Sequence, residues 1–185
     1  MILYRCFPWD RDVDPAARGG ALWFPRIAQG HGRHDNPLHY GCLYVTERAV
    51  SAVVEQLARF TGTSLEAADL RHGGRPLALA SLDLAADSEL VDLDEPTTLA
   101  AEALRPSLVA THDRGRTQAD AAALFERHAG AAGIRWWSTF ESQWPNVTLF
   151  DRSAAALGLG ETRPLVLRDE VVEDAAGFLG LRIAT

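Results

Sequence analysis

The sequence predicts a single mixed α+β domain, with a short-stranded, mostly antiparallel sheet and flanking helices. Three observations predict it. The chain of 185 residues fits one domain. Apolar runs of strand length alternate irregularly with helical stretches that carry one apolar face. No internal repeat, linker or low-complexity segment divides the chain, and the irregular connections disfavour a doubly wound sheet.

The elements follow in order. ILYRCF, from Ile2, reads as a short buried strand. DRDVDPAARGG is a polar loop with proline and glycine breakers. ALWFPRI resumes an extended segment, which Pro25 confines to an edge or a bend. QGHGRHDNP returns to loop, and YGCLYV is the next strand. Thr46 is placed to cap a helix running to about Phe60, on which Val50, Val53, Val54 and Leu57 make one apolar stripe. Glu55 lies well away from the centre of that stripe, so it faces solvent or a cleft. RPLALASLDL is a strand candidate, and EPTTLAAEAL a short helix begun by Pro96. TQADAAALFERHAG is a second clear helix, with Thr117 as its cap. GIRWW and NVTLF read as two strands joined by a polar turn. RSAAALGLG reads as a short helix stopped by glycine, and RPLVLRDEVV as a last strand.

Composition limits the function classes. With 18 basic and 25 acidic residues the net charge is −7, which argues against sequence-independent nucleic-acid binding. It leaves room for a local basic pocket that takes one small anion. Only two cysteines are present, Cys6 and Cys42, each among apolar neighbours, so two buried thiols in a reducing cytoplasm are expected. The first residues show no signal peptide, and nowhere do 18 uncharged apolar residues run together, so no membrane span is expected.

Common chemical motifs are missing. GHGRHD has only the first two glycines of a dinucleotide fingerprint, and there is no P-loop, nucleophile elbow, CxxC or HExxH. His31, His34 and His39, with Asp35, have loop spacings that could ligate zinc, but Asn36-Pro37 reads as a turn and no metal site is expected. Arg33, Tyr44 and Glu55 fall in a loop, on a strand and on a helix. A guanidinium can clamp a pyrophosphate, a tyrosine ring can stack on a heterocycle, and a carboxylate can stabilise a sugar cation. Read alone, the three are equally a surface arginine, a core tyrosine and a solvated glutamate.

The order of segments resembles the RES domain, the toxin half of a class of bacterial toxin–antitoxin pairs. The resemblance rests on Tyr4-Arg5 in the first strand, GRHDNP (32–37), LYVTE (43–47), Glu55 in AVVEQLARF, GIRWWS (133–138) and VTLFDR (147–152). It covers about residues 2–152 of a single 1–185 domain. His34 stands where many members have Trp or Phe, and Trp136-Trp137 where Tyr-Pro is usual. The family's namesake Arg, Glu and Ser map to Arg33, Glu55 and Ser138, with Tyr44 beside them.

The resemblance implies a fold similar to ADP-ribosyltransferases. It also implies cleavage of the nicotinamide–ribose bond of NAD⁺ by hydrolysis or phosphorolysis, with NAD⁺ as substrate and no cofactor. Glu55, Arg33 and Tyr44 would be catalytic, while Ser138, Arg5, His34 and Trp137 would contact substrate. The implied partner is a helix-turn-helix antitoxin of the Xre type, in a homo-oligomer or a toxin–antitoxin hetero-oligomer, with no direct contact to nucleic acid or membrane. Three alternatives remain: an ADP-ribosyltransferase acting on a protein, a zinc-dependent hydrolase, and a non-catalytic binding domain.

Overall fold

A computed structural model describes residues 1–184. In chain order its strands are β1 (Ile2–Pro8), β2 (Cys42–Thr46), β3 (Ser64–Leu65), β4 (Arg71–His72), β5 (Arg75–Leu84), β6 (Leu90–Asp92), β7 (Gly133–Trp137), β8 (Pro145–Phe150), β9 (Leu157–Pro164) and β10 (Arg182–Ile183). Its α-helices are α1 (Ala49–Leu57), α2 (Pro96–Ala101), α3 (Pro106–Val109), α4 (Arg114–Arg127) and α5 (Glu170–Leu179). The fold is mixed α+β, with a mostly antiparallel sheet and flanking helices, as the sequence predicts. Two compact units can be described, and β2 straddles the division between Tyr44 and Val45.

The first unit holds Met1–Trp23, Val45–Leu84 and the segment from Gly158. Its strand order is β4-β5-β1-β2, with β9 also pairing β5. The antiparallel pair β1/β5 runs from Ile2↔Asp83 to Pro8↔Leu77. Leu77, Ala78, Leu79 and Ala80 are buried in succession, the pattern of a strand covered on both faces. Helix α1 packs on α5 and on β1. Val53, Val54 and Leu57 of its stripe are fully buried, whereas Glu55 is exposed. Gly180 ends α5 in the left-handed region (φ 66°), the usual glycine stop of a helix.

The second unit holds Phe24–Tyr44 and Ala85–Leu157. Its strand order is β2-β8-β7-β6, with β7/β8 antiparallel and β6/β7 parallel. Tyr40, Cys42, Leu93, Leu124, Ile134 and Phe150 form its core. Both cysteines are buried free thiols, as expected.

Several local expectations are corrected. ALWFPRI forms no strand: Pro25 has no N–H to give a ladder, and a 3₁₀ turn follows at Arg26–Ala28. Thr46 does not cap α1. It is the last residue of β2, its hydroxyl donates to the Arg48 carbonyl (2.6 Å), and α1 starts after Arg48. Thr117 lies inside α4, whose cap is Asp113, a carboxylate accepting from the Arg116 N–H (3.0 Å). RSAAALGLG is a 3₁₀ turn at Asp151–Ala156 that passes into β9, and the predicted last strand gives way to α5.

Gly133 sets the spacing of β7 on β8. A β-carbon there would lie 2.9 Å from Leu149 Cα and closer still to the Thr148 carbonyl oxygen, both backbone atoms. Gly133→Ala should therefore lose about 1–3 kcal/mol of unfolding free energy in chemical denaturation.

Candidate active site

The loop from Gly30 to Asn36 is organised by one carboxylate. Asp35 Oδ2 accepts from the N–H groups of Gly30 (2.9 Å) and Gly32 (2.6 Å). Its Oδ1 accepts from the Tyr44 hydroxyl (2.8 Å) and the Cys42 thiol (3.2 Å). Burial pushes the Asp35 pKa up, but these donors outweigh it and the net shift is down, so the group is anionic. Gly32 is required by the close approach: a β-carbon there would meet Tyr44 Oη at 2.5 Å and Asp35 Oδ1 at 2.6 Å.

Tyr44 itself is committed. Its hydroxyl donates to Asp35 and accepts from the His34 N–H (2.9 Å). Burial, with Cys42 and Asp35 nearby, raises its pKa far above the ordinary tyrosine value, so it stays a neutral phenol. The hydroxyl thus closes the loop.

Arg33 is 5% exposed. Its Nη1 donates to the carbonyls of Val109 (2.8 Å) and Thr111 (2.7 Å), at the end of α3 and just beyond. Its guanidinium carbon lies 5.0 Å from the Trp136 ring centroid, within cation–π range. Its own carbonyl accepts from the Thr117 hydroxyl (2.6 Å). Side chain and backbone are thus both held by the segment that leads into α4.

His34 is buried beside it. Its Nδ1 lies 2.8 Å from Thr148 Oγ1, which also accepts from Trp136 Nε1 (3.1 Å). The threonine proton then has His34 Nδ1 as its acceptor, which places the imidazole proton on Nε2. Burial first, then the charges of Arg33 and Arg114, push the His34 pKa down to about 3 against the opposing pull of Asp35. The ring is therefore neutral at physiological pH. The cavity against it is about 10 Å³, room for a water and not for a heterocycle.

Ser138 is buried just beyond the end of β7, and its Oγ accepts from the Phe140 N–H (3.1 Å). Trp137 is half-buried against the core of the second unit. That unit thus carries Arg33, His34, Tyr44, Trp137 and Ser138. His34 and Tyr44 are joined by a hydrogen bond, and Arg33 precedes His34 in the same loop. Glu55 and Arg5 belong to the first unit, on α1 and β1. Arg5 Nη1 donates to the carbonyls of Gly20 (3.1 Å) and Ala21 (2.5 Å), so it pins the loop after β1.

The histidines of the opening loop separate. His31 is exposed, and His39 is exposed with Nδ1 3.8 Å from Glu126 Oε1. Among the described residues no group of three His, Cys, Asp or Glu side chains is placed to hold a metal ion. Sequence reasoning missed the parts played by Asp35, Thr117 and Thr148. The spacing of Asp35 to Gly30 and Gly32 was the only local signal for any of them.

The RES-domain family model matches residues 2–168, and the chain therefore belongs to the RES-domain family. The match runs past residue 152 and takes in β9. Among solved structures, the crystal structure of the M. tuberculosis MbcT–MbcA toxin–antitoxin complex is similar in fold. Its TM-score is 0.64 at 19% sequence identity, over 98% of this chain and 88% of that one. No curated protein matches the sequence. No helix among the described residues is long and apolar enough to cross a membrane.

The depressed His34 value has a stability consequence. Between about pH 6.5 and 3 the unfolded chain binds a proton at His34 that the folded chain does not, so stability falls as pH drops through that window. His34→Gln should flatten the fall. Chemical denaturation at pH 7 and pH 5 should show a difference on the order of 1–2 kcal/mol smaller in the variant.

Proposed function

We propose that this protein cleaves the nicotinamide–ribose bond of NAD⁺, by hydrolysis or phosphorolysis. We further propose that it acts in the cytoplasm as the toxin of a toxin–antitoxin pair. The observation that carries the first reading is the chemical state of the family's residues. Arg33 is a buried, pre-positioned cation of the kind that binds a pyrophosphate without reorganising. Glu55 is exposed on α1, outside the helix's buried stripe.

Each group has a role in this reading. Arg33 takes the pyrophosphate. Ser138 and Arg5 add contacts to phosphate or ribose. The C1′–N bond breaks with its electron pair going to the pyridinium nitrogen, so nicotinamide leaves neutral and needs no general acid. The ribose becomes oxocarbenium-like, and Glu55 stabilises that charge. Water adds at C1′ and releases its proton to solvent, giving ADP-ribose, or a phosphate anion adds through an unprotonated oxygen, giving ADP-ribose 1-phosphate. His34, neutral at physiological pH, takes no proton in this scheme.

The toxin reading is supported by family membership and by the similar fold of the toxin in the MbcT–MbcA complex. Its partner would be a helix-turn-helix antitoxin that closes the site.

Glu55→Gln tests the chemistry. Purified wild-type protein should convert NAD⁺ to free nicotinamide. The variant should fold normally by circular dichroism and lose about 10²–10³-fold or more in kcat. Unchanged turnover in that variant would remove Glu55 from the mechanism. Label from NAD⁺ appearing on a protein band, with little free ADP-ribose, would favour protein ADP-ribosylation instead.

A further inference from the structure

The geometry points to Asp35 as the positioning residue for Arg33, with Tyr44 as its relay. This rests on the reading of Arg33 as the pyrophosphate contact. Arg33 is flanked by Gly32 and His34, and both flanking N–H groups lead to the same carboxylate. The Gly32 N–H donates directly to Asp35 Oδ2 (2.6 Å). The His34 N–H donates to the Tyr44 hydroxyl (2.9 Å), which in turn donates to Asp35 Oδ1 (2.8 Å). One carboxylate thus fixes the backbone on both sides of the cation. The Gly30 N–H (2.9 Å) and the Cys42 thiol (3.2 Å) bring its donors to four, and a carboxylate has about four lone-pair sites to meet them.

The loop has no regular secondary structure, so its shape depends on these bonds. The guanidinium still reaches the Val109 and Thr111 carbonyls only if the backbone at residue 33 stays where Asp35 puts it. Asp35 touches no reacting atom in this scheme and acts through Arg33. Tyr44, which the family resemblance placed among the catalytic groups, contributes here through its hydroxyl as a strut.

The test compares Asp35→Ala, Asp35→Asn and Tyr44→Phe in the full chain. Two readouts are used: amide hydrogen exchange at Gly30 and Gly32 with the Arg33 Nε–H signal by NMR, and NAD⁺ cleavage kinetics. Asp35→Ala should speed exchange of both amides by at least about tenfold and broaden the Arg33 signal. It should raise the KM for NAD⁺ about tenfold or more, with a smaller change in kcat, because a lost pyrophosphate contact weakens ground state and transition state alike. Asp35→Asn keeps one acceptor oxygen for the glycine amides and should recover most of both readouts. Tyr44→Phe should loosen only the His34 side.

A merely structural aspartate would lower the active fraction, reducing apparent kcat at constant KM with no recovery by Asn. That result, or unchanged exchange at Gly30 and Gly32, overturns the proposal. If wild-type protein cleaves no NAD⁺, the functional reading fails while the exchange and Arg33 signals still decide the role of Asp35. If Asp35→Ala does not fold, Tyr44→Phe decides it: faster exchange at the His34 N–H supports the proposal, and wild-type exchange there with an unchanged Arg33 signal overturns it.

Discussion

Taking a guanidinium out of water costs several kcal/mol unless oxygen atoms or an aromatic face replace the lost solvent. The second unit meets that demand at Arg33 with two backbone carbonyls and the Trp136 ring. Much of the unit follows from it. The Val109 and Thr111 carbonyls are available because α3 ends there and leaves them without helical partners. Thr117 then holds the Arg33 carbonyl from the first turns of α4. Trp136 is oriented by its indole bond to Thr148, whose hydroxyl also meets His34. A cation that is expensive to bury is thus the common neighbour of α3, the segment after it, α4 and β7.

The same constraint explains the neutral histidine. A protonated His34 would put a second buried cation beside Arg33, with Arg114 adding to the repulsion. The Thr148 hydroxyl offers Nδ1 a proton and so favours the neutral ring. The neutral ring keeps a further positive charge away from Arg33. This is a local basic environment inside a chain whose net charge is −7.

What could be read from sequence was what local pattern encodes. β1, β5, β7 and β8 were legible as apolar runs of strand length, and α1 as a stripe of valines with Glu55 outside it. β9 was not, because five of its eight residues are exposed and only Leu157 is buried, and its pairing to β5 is a matter of backbone bonds. Capping was misread at Thr46 and Thr117 for a shared reason. A threonine hydroxyl suits several backbone acceptors, and tertiary geometry chose the Arg48 carbonyl for one and the Arg33 carbonyl for the other. Arg33 and Glu55 were singled out because the family motif carries them. Thr148 was not, since its partner His34 lies 114 residues away and nothing local marks it.

The placement of the two acids follows from what each charge must do. Asp35 is next to the cation in sequence and would be the natural residue to neutralise it. Four donors fill its lone pairs, so its charge is spent inside the loop. Glu55 has the opposite arrangement. It sits on an exposed helix position, outside the packed stripe. In the proposed reaction a carboxylate that meets a transient ribose cation must stay charged, which an exposed position favours. In the proposed reaction the buried acid gives the cation its place and the exposed acid does the chemistry. Exchanging their environments would disable both.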